Sequence, residues 1–154
     1  MCGDLTDPAA ISGLFDSVSE QIGPLSGLVN NAAMIAASSL ASLEVVAVQR
    51  TFAVNAVAPL LMMSEFAKRS PDDGCIVNIV DTSVERAWPE HATYCASKAA
   101  LMAASQVAAR ELAPNIRVNV VNPGTVVLRE EEFPEVDRLV SEIPLGRIGT
   151  AEDI

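Results

Sequence analysis

The sequence is poor in the residues that most often build sites. It holds one histidine, one tryptophan and one tyrosine, and only 4% of it is aromatic. The lone histidine, His91, leaves nothing for a His-based catalytic triad or a multi-histidine zinc site. The three cysteines, Cys2, Cys75 and Cys95, are odd in number and show no C-x-x-C or metal-ligand spacing. They are expected to be free thiols in a reducing compartment, Cys75 packed in a strand. Positive charge is scarce as well: ten Lys and Arg stand against twenty Asp and Glu, a formal net charge of −10. That balance argues against nucleic acid and anionic membrane surfaces as partners. No apolar run is expected to approach the ~20 residues that span a bilayer, and no basic, apolar leader opens the chain. These absences predict a cytoplasmic protein.

What is present suits a buried α/β sheet. Half of the 154 residues are apolar and 19% are charged, enough for one domain with a real core. Short apolar runs at Ser26–Asn30, Cys75–Val80 and Asn115–Asn122 read as strands, and each is separated from the next by helical periodicity. Strand–helix alternation of this kind predicts a parallel sheet. The first helix starts at Asp7-Pro8, repeats Ile11, Leu14, Phe15, Val18 and Ile22, stops at Gly23-Pro24, and should cover one face of the sheet. Ser42 is the expected cap of a long helix from Leu43 to about Lys68, with Val46, Phe52, Val57, Leu60 and Leu61 as its core face and Pro59 loosening it. An Ala-rich helix runs from about Ala96 to Leu112 and ends at Ala113-Pro114. Its Ala99, Ala100, Ala103, Ala104 and Ala108 permit close helix approach. A short helix over Pro134–Glu142 and a capping-box start at Thr150-Ala151-Glu152-Asp153 follow, after an acidic stretch, Glu130-Glu131-Glu132, that reads as a solvated loop. No repeat or linker appears, so residues 1–154 are taken as one domain.

The chemistry centres on Tyr94-Cys95-Ala96-Ser97-Lys98. Residues i and i+4 share a helix face, so Tyr94 and Lys98 project side by side. A cation beside a phenol should lower its pKa from the ordinary ~10, which suits general acid–base work; a solvated surface pair is the plain alternative. Asn30-Asn31-Ala32-Ala33 and Asn55 precede this pair, and Asn122-Pro123-Gly124 closes the strand that follows it. In order and in spacing, these four motifs resemble the short-chain dehydrogenase/reductase family.

The resemblance implies a partial Rossmann-type, doubly wound parallel sheet and hydride transfer from a nicotinamide cofactor, NADPH with NADH not excluded. Tyr94 would donate the proton, Lys98 would lower its pKa and hold the ribose, and Asn55 would support a water relay. Asp4, Leu5, Asn31, Ala32, Tyr94, Lys98, Pro123, Gly124 and Val126 fall at positions that touch the cofactor in the family. The helices Leu43–Lys68 and Tyr94–Leu112 would build a homo-oligomer interface.

Two departures matter. Thirteen residues ahead of the Tyr, where the family usually has Ser, stands Asp81, and Ser83 is only eleven ahead. An Asp there resembles the pteridine reductase branch, including dihydromonapterin reductases, and implies a pterin-type substrate; an N-cap carboxylate or a degraded site is the alternative. Substrate would then meet Asp81, Tyr94, Ile35 and Trp88. Ile35 takes the place of the branch's stacking aromatic, and Trp88 either contacts substrate or packs its loop. Second, none of the eight glycines forms a G-x-x-x-G-x-G loop of the kind that cradles a pyrophosphate. The resemblance therefore covers the central and C-terminal part of the fold. A carbonyl or 3-oxoacyl reductase, and an inactive or purely binding module, are the rival expectations.

Overall fold

The computed structural model describes residues 3–69, 73–126 and 136–154. Three strands, β1 (Gly27–Asn30), β2 (Gly74–Ile79) and β3 (Ile116–Val121), form a parallel sheet in sequence order. Gly27 sits opposite Cys75 and Asn30 opposite Asn78, while Gly74 to Ile79 run beside Ile116 to Val121. All three carboxyl ends therefore share one edge, which brings Asn31, Asp81 and Asn122–Gly124 to the same side of the molecule.

Helix α1 (Pro8–Ile22) starts as its residues dictate: the Asp7 side chain accepts from the Ala9 N–H, and Gly23, at φ +86, closes it. Its Ile11 and Phe15 join Leu28, Ala58, Met63, Phe66, Ile76 and Ile116 in one core cluster on a single face of the sheet. On the central strand, Gly74, Ile76 and Asn78 are buried, while Cys75 and Val77 are half-buried. Cys75 is a free thiol in that strand, as is Cys95 on its helix; Cys2 lies outside the described residues. One buried polar network crosses this core. Asn30 Nδ2 donates to Asn78 Oδ1 at 2.8 Å, and Asn78 Nδ2 donates to Ser105 Oγ at 2.7 Å.

The second helical segment corrects the sequence reading in three ways. Ser42 does not cap it; Ser39 caps a single 3-10 turn, Leu40–Ser42, and α2 begins at Val45. A π-helical turn, Ala53–Val57, separates α2 (Val45–Phe52) from α3 (Ala58–Arg69). A π turn inserts an extra residue and shifts the helical phase downstream, so one 3.6-residue period cannot be read through the whole segment. Beyond that turn Leu60, expected in the core, is exposed and Leu61 half-buried; Val57 in the turn and Val46 ahead of it are exposed as well, and Phe52 is half-buried. Ala56, Ala58, Met63 and Phe66 are buried instead. Third, the continuous stretch Val45–Arg69 is long and apolar enough by length and composition to cross a bilayer, contrary to expectation. Here part of it packs against the sheet.

Helix α4 covers Ala92–Glu111, starting two residues before Tyr94. Helix α5 spans Val136–Glu142; Pro134 and the acidic run Glu130–Glu132 lie outside the described residues. The capping box at Thr150 forms, but it opens only a 3-10 turn, Ala151–Asp153.

Candidate active site at the carboxyl edge of the sheet

Tyr94 lies in the first turn of α4 and Lys98 one turn further on, each only 3% exposed. β2 ends at Ile79 and delivers Asp81 to the mouth of that helix. The Tyr94 hydroxyl donates to Asp81 Oδ2 at 2.9 Å. The other oxygen, Oδ1, accepts the Ser83 N–H at 2.6 Å and caps the 3-10 turn Thr82–Val84. One carboxylate thus caps the turn, as one alternative had it, and at the same time accepts the Tyr94 hydroxyl.

Lys98 Nζ donates to the Ile79 carbonyl at 2.8 Å and stands 5.9 Å from the centroid of the Tyr94 ring. The expected lowering of the phenol pKa is overturned. Burial, and after it the Asp81 carboxylate, push Tyr94 far above its ordinary value. Burial also pulls the Lys98 ammonium down, with Asp81 opposing. The physical reason is distance and desolvation: the anion is in hydrogen-bond contact, whereas the cation is a turn away and turned toward a carbonyl. Tyr94 is consequently a protonated donor, not an incipient phenolate.

Asn55 sits in the π turn, fully buried. Its Oδ1 accepts the Met34 N–H at 2.7 Å, and its Nδ2 donates to the Met34 carbonyl at 2.9 Å and to Ser97 Oγ at 3.0 Å. Ser97 Oγ in turn donates to the Tyr94 carbonyl at 2.7 Å. Asn55 therefore ties the Ala32–Ala41 rim loop to the reactive turn of α4. Pro59, four residues on, has no N–H to offer the Asn55 carbonyl.

Trp88 packs edge-on to Tyr94, ring centroids 5.9 Å apart, and stacks on His91 at 4.0 Å. The Ser38 N–H donates to the Glu90 carbonyl at 2.6 Å and pins this loop to the rim. A cavity of about 230 Å³ opens here, walled by Asp81, Thr82, Ser83, Arg86, Trp88 and Thr125 among others. Ile35 is not part of that wall and is 59% exposed. The remaining candidates divide between two other places on the same edge. Leu5, Asn31 and Ala32 line a small crevice beside Val54 and Pro59. Pro123, Gly124 and Val126 line a cavity of about 590 Å³ that adjoins the first. Asp4 is exposed, its carboxyl held below the usual range by the Thr6 N–H and hydroxyl.

The edge fits a polar organic cofactor. Ser83 Oγ and Asn122 Oδ1 are buried there with no partner among the described residues, a state that costs ~1–3 kcal/mol each until something bonds them. Three residues of the site escaped the sequence reading. Ser97 was readable, since it lies one turn from Tyr94 on the same helix. Arg86 and the stacking of His91 were not, because no periodicity places loop residues.

Comparison with known proteins follows this geometry. The family described as enoyl-(acyl carrier protein) reductase matches residues 1–154. The inactive 2-(S)-hydroxypropyl-CoM dehydrogenase 2 of Xanthobacter autotrophicus is 37% identical over 98% of the chain and 71% of its own length. D-erythrulose reductase of Gallus gallus is 34% identical over 100% of the chain and 65% of its own. The crystal structure of FolM alternative dihydrofolate reductase 1 from Brucella canis, complexed with NADP, superposes with a TM-score of 0.86 at 36% identity. That match covers 96% of the chain and 59% of the solved one. The chain thus spans between roughly three fifths and seven tenths of these relatives.

Proposed function

The chain belongs to the short-chain dehydrogenase/reductase family, and on that premise we propose that it carries the proton-transfer and substrate side of a nicotinamide-dependent reductase acting on a reduced pterin or a comparable C=N substrate. The observation that carries this reading is the 2.9 Å bond from Tyr94 to Asp81. A carboxylate paired with a protonated phenol offers a ring N–H an anionic acceptor and a ring nitrogen a donor, whereas a Ser hydroxyl beside the same Tyr offers only neutral partners. The likeness to an NADP-complexed dihydrofolate reductase supports the substrate class and NADPH.

When bound, the nicotinamide supplies the hydride; this chain's residues supply position and a proton. Tyr94 Oη gives up its proton as the substrate takes the hydride, and Asp81 holds the neighbouring N–H. Lys98 spends one of its three donors on the Ile79 carbonyl and offers the others toward ribose hydroxyls and the phenol. Its charge matters most after proton release, when the phenolate it faces has formed. Asn55, through Ser97, keeps the Tyr94 turn in place. Ser83 Oγ and Asn122 Oδ1 receive polar groups of the bound ligands.

The second reading is a carbonyl reductase of the same family, favoured by the likeness to D-erythrulose reductase and by an aliphatic Ile35 on the rim. A non-catalytic binding module is the reading from another class. We infer a homo-oligomer, since Val45, Val46, Val57 and Leu60 on one helical segment and Val107 on α4 are all exposed.

Paired NADPH-oxidation assays with a dihydropterin and a keto ester, run at millimolar NADPH to offset weak cofactor binding, test the proposal. Asp81→Ser should reduce pterin turnover by ~10²-fold, the scale of a lost proton-transfer group, while sparing the ketone. Loss of all activity on Ser83→Ala, with Asp81→Ser silent, would hand the site to the carbonyl reading.

A further inference from the structure

Arg86 is the one cation, among the described residues, on the wall of the 230 Å³ cavity that Asp81 and Trp88 line. The cavity's acid is already met: Asp81 takes the Tyr94 hydroxyl on one oxygen and the Ser83 N–H on the other. No carboxylate of the described residues stands within ion-pair distance of the Arg86 guanidinium, a state it shares with Arg50, Arg110 and Arg117, but of these four only Arg86 lines this cavity. Glu85 and Glu142 share the adjoining 590 Å³ cavity with Arg86, but neither lies on the smaller cavity's wall. What distinguishes Arg86 is its place: a positive charge on the wall of a cavity in a chain of net charge −10.

The rest of the wall says what else the ligand must be. Trp88 presents its indole to the cavity while His91 covers part of it at 4.0 Å, so the indole is held in one orientation. Ala87 and Leu139 add apolar surface, and Gly124 keeps the wall low. A flat ring laid against a fixed indole, with an anion reaching a planar guanidinium, matches this lining in shape and charge.

Resting on the reductase reading but going beyond it, we propose that the substrate is a planar ring bearing an anionic group, carboxylate or a close equivalent, and that Arg86 is the residue that selects the anion. The ring's reducible bond then faces Tyr94 and Asp81 while the charge lies toward the loop. An anion could also come from the cofactor, because Arg86 borders the larger cavity too. The test separates these sources.

Benzoate and benzamide have the same shape and differ in charge. Their binding to the chain can be followed by calorimetry and by the fluorescence of Trp88, the only tryptophan. Benzoate should bind about fivefold more tightly than benzamide, the ~1 kcal/mol scale of a partly exposed charge-assisted pair. It should also change Trp88 emission. Arg86→Gln should erase the difference, and Arg86→Lys should restore part of it; both are exposed substitutions that leave the fold intact. Equal binding of the two probes, or no binding of either at millimolar concentration, overturns the proposal. So does a result in which Arg86→Gln weakens pyrophosphate binding and leaves the benzoate preference untouched, since Arg86 would then serve the cofactor. Because these probes need no turnover, failure here and failure of the Asp81→Ser assay are read independently.

Discussion

Replacing Asp81 by Asn removes the charge beside Tyr94 and keeps the side chain's size. Tyr94 is the only tyrosine in the chain, so the ultraviolet rise that marks phenolate formation reports this one group. Two causes hold its proton on: burial is the larger, and the carboxylate at 2.9 Å is the next. A charge-assisted hydrogen bond contributes ~1.5–3 kcal/mol, and each pKa unit is ~1.4 kcal/mol. Asp81 is half-exposed, which trims its effect to the low end. Asp81→Asn should therefore lower the titration of the phenol by about one unit and still leave it above the ordinary ~10, because the burial is unchanged. Spectrophotometric titration with circular dichroism alongside distinguishes ionisation in the folded state from unfolding. The sign also appears in stability. A folded-state pKa above the unfolded one means the native protein keeps a proton that the unfolded chain has lost, so stability is complete below about pH 10 and falls as pH rises further. That fall should be shallower in Asp81→Asn. A wild-type phenol titrating at or below its ordinary value would refute the reasoning and restore Lys98 as the dominant neighbour.

Other outcomes follow from the same structure. Asn78→Ala should cost ~1–3 kcal/mol in urea unfolding, since it strands the Asn30 amide in the core, while the Ser105 hydroxyl keeps its bond to the Leu101 carbonyl; a loss below ~0.5 kcal/mol would mean the network is not formed. Calorimetry with NADPH on this chain should give binding weaker than low micromolar, because no glycine-rich loop in the sequence cradles the pyrophosphate. Light scattering should find dimers or larger species, given the exposed valines and Leu60 of the second helical segment and the exposed Val29 of the edge strand; a stable monomer would count against that surface.

Much of the fold was legible in the residues. Short apolar runs and period-3.6 patterns located three strands and the helices between them, and such alternation predicts a parallel sheet. Asp7-Pro8 and Gly23 marked the ends of α1 because capping is local chemistry. The side-by-side placement of Tyr94 and Lys98 is likewise local, fixed by one helical turn. What needed the tertiary structure was everything set by distance and desolvation across the chain. Whether Lys98 or Asp81 rules the Tyr94 proton depends on which charge touches the phenol, and no spacing states that a carboxylate thirteen residues away is at 2.9 Å. Beyond Val57 the core face of the second helical segment escaped for a different reason: a π turn shifted its phase, and nothing in a 3.6-residue count marks where that happens. Arg86 and Trp88 belong to a loop, whose side chains are placed by what the rest of the fold leaves open. Sequence by itself determined the elements and the residue types that carry the chemistry; the packed fold decided the direction in which each proton is held.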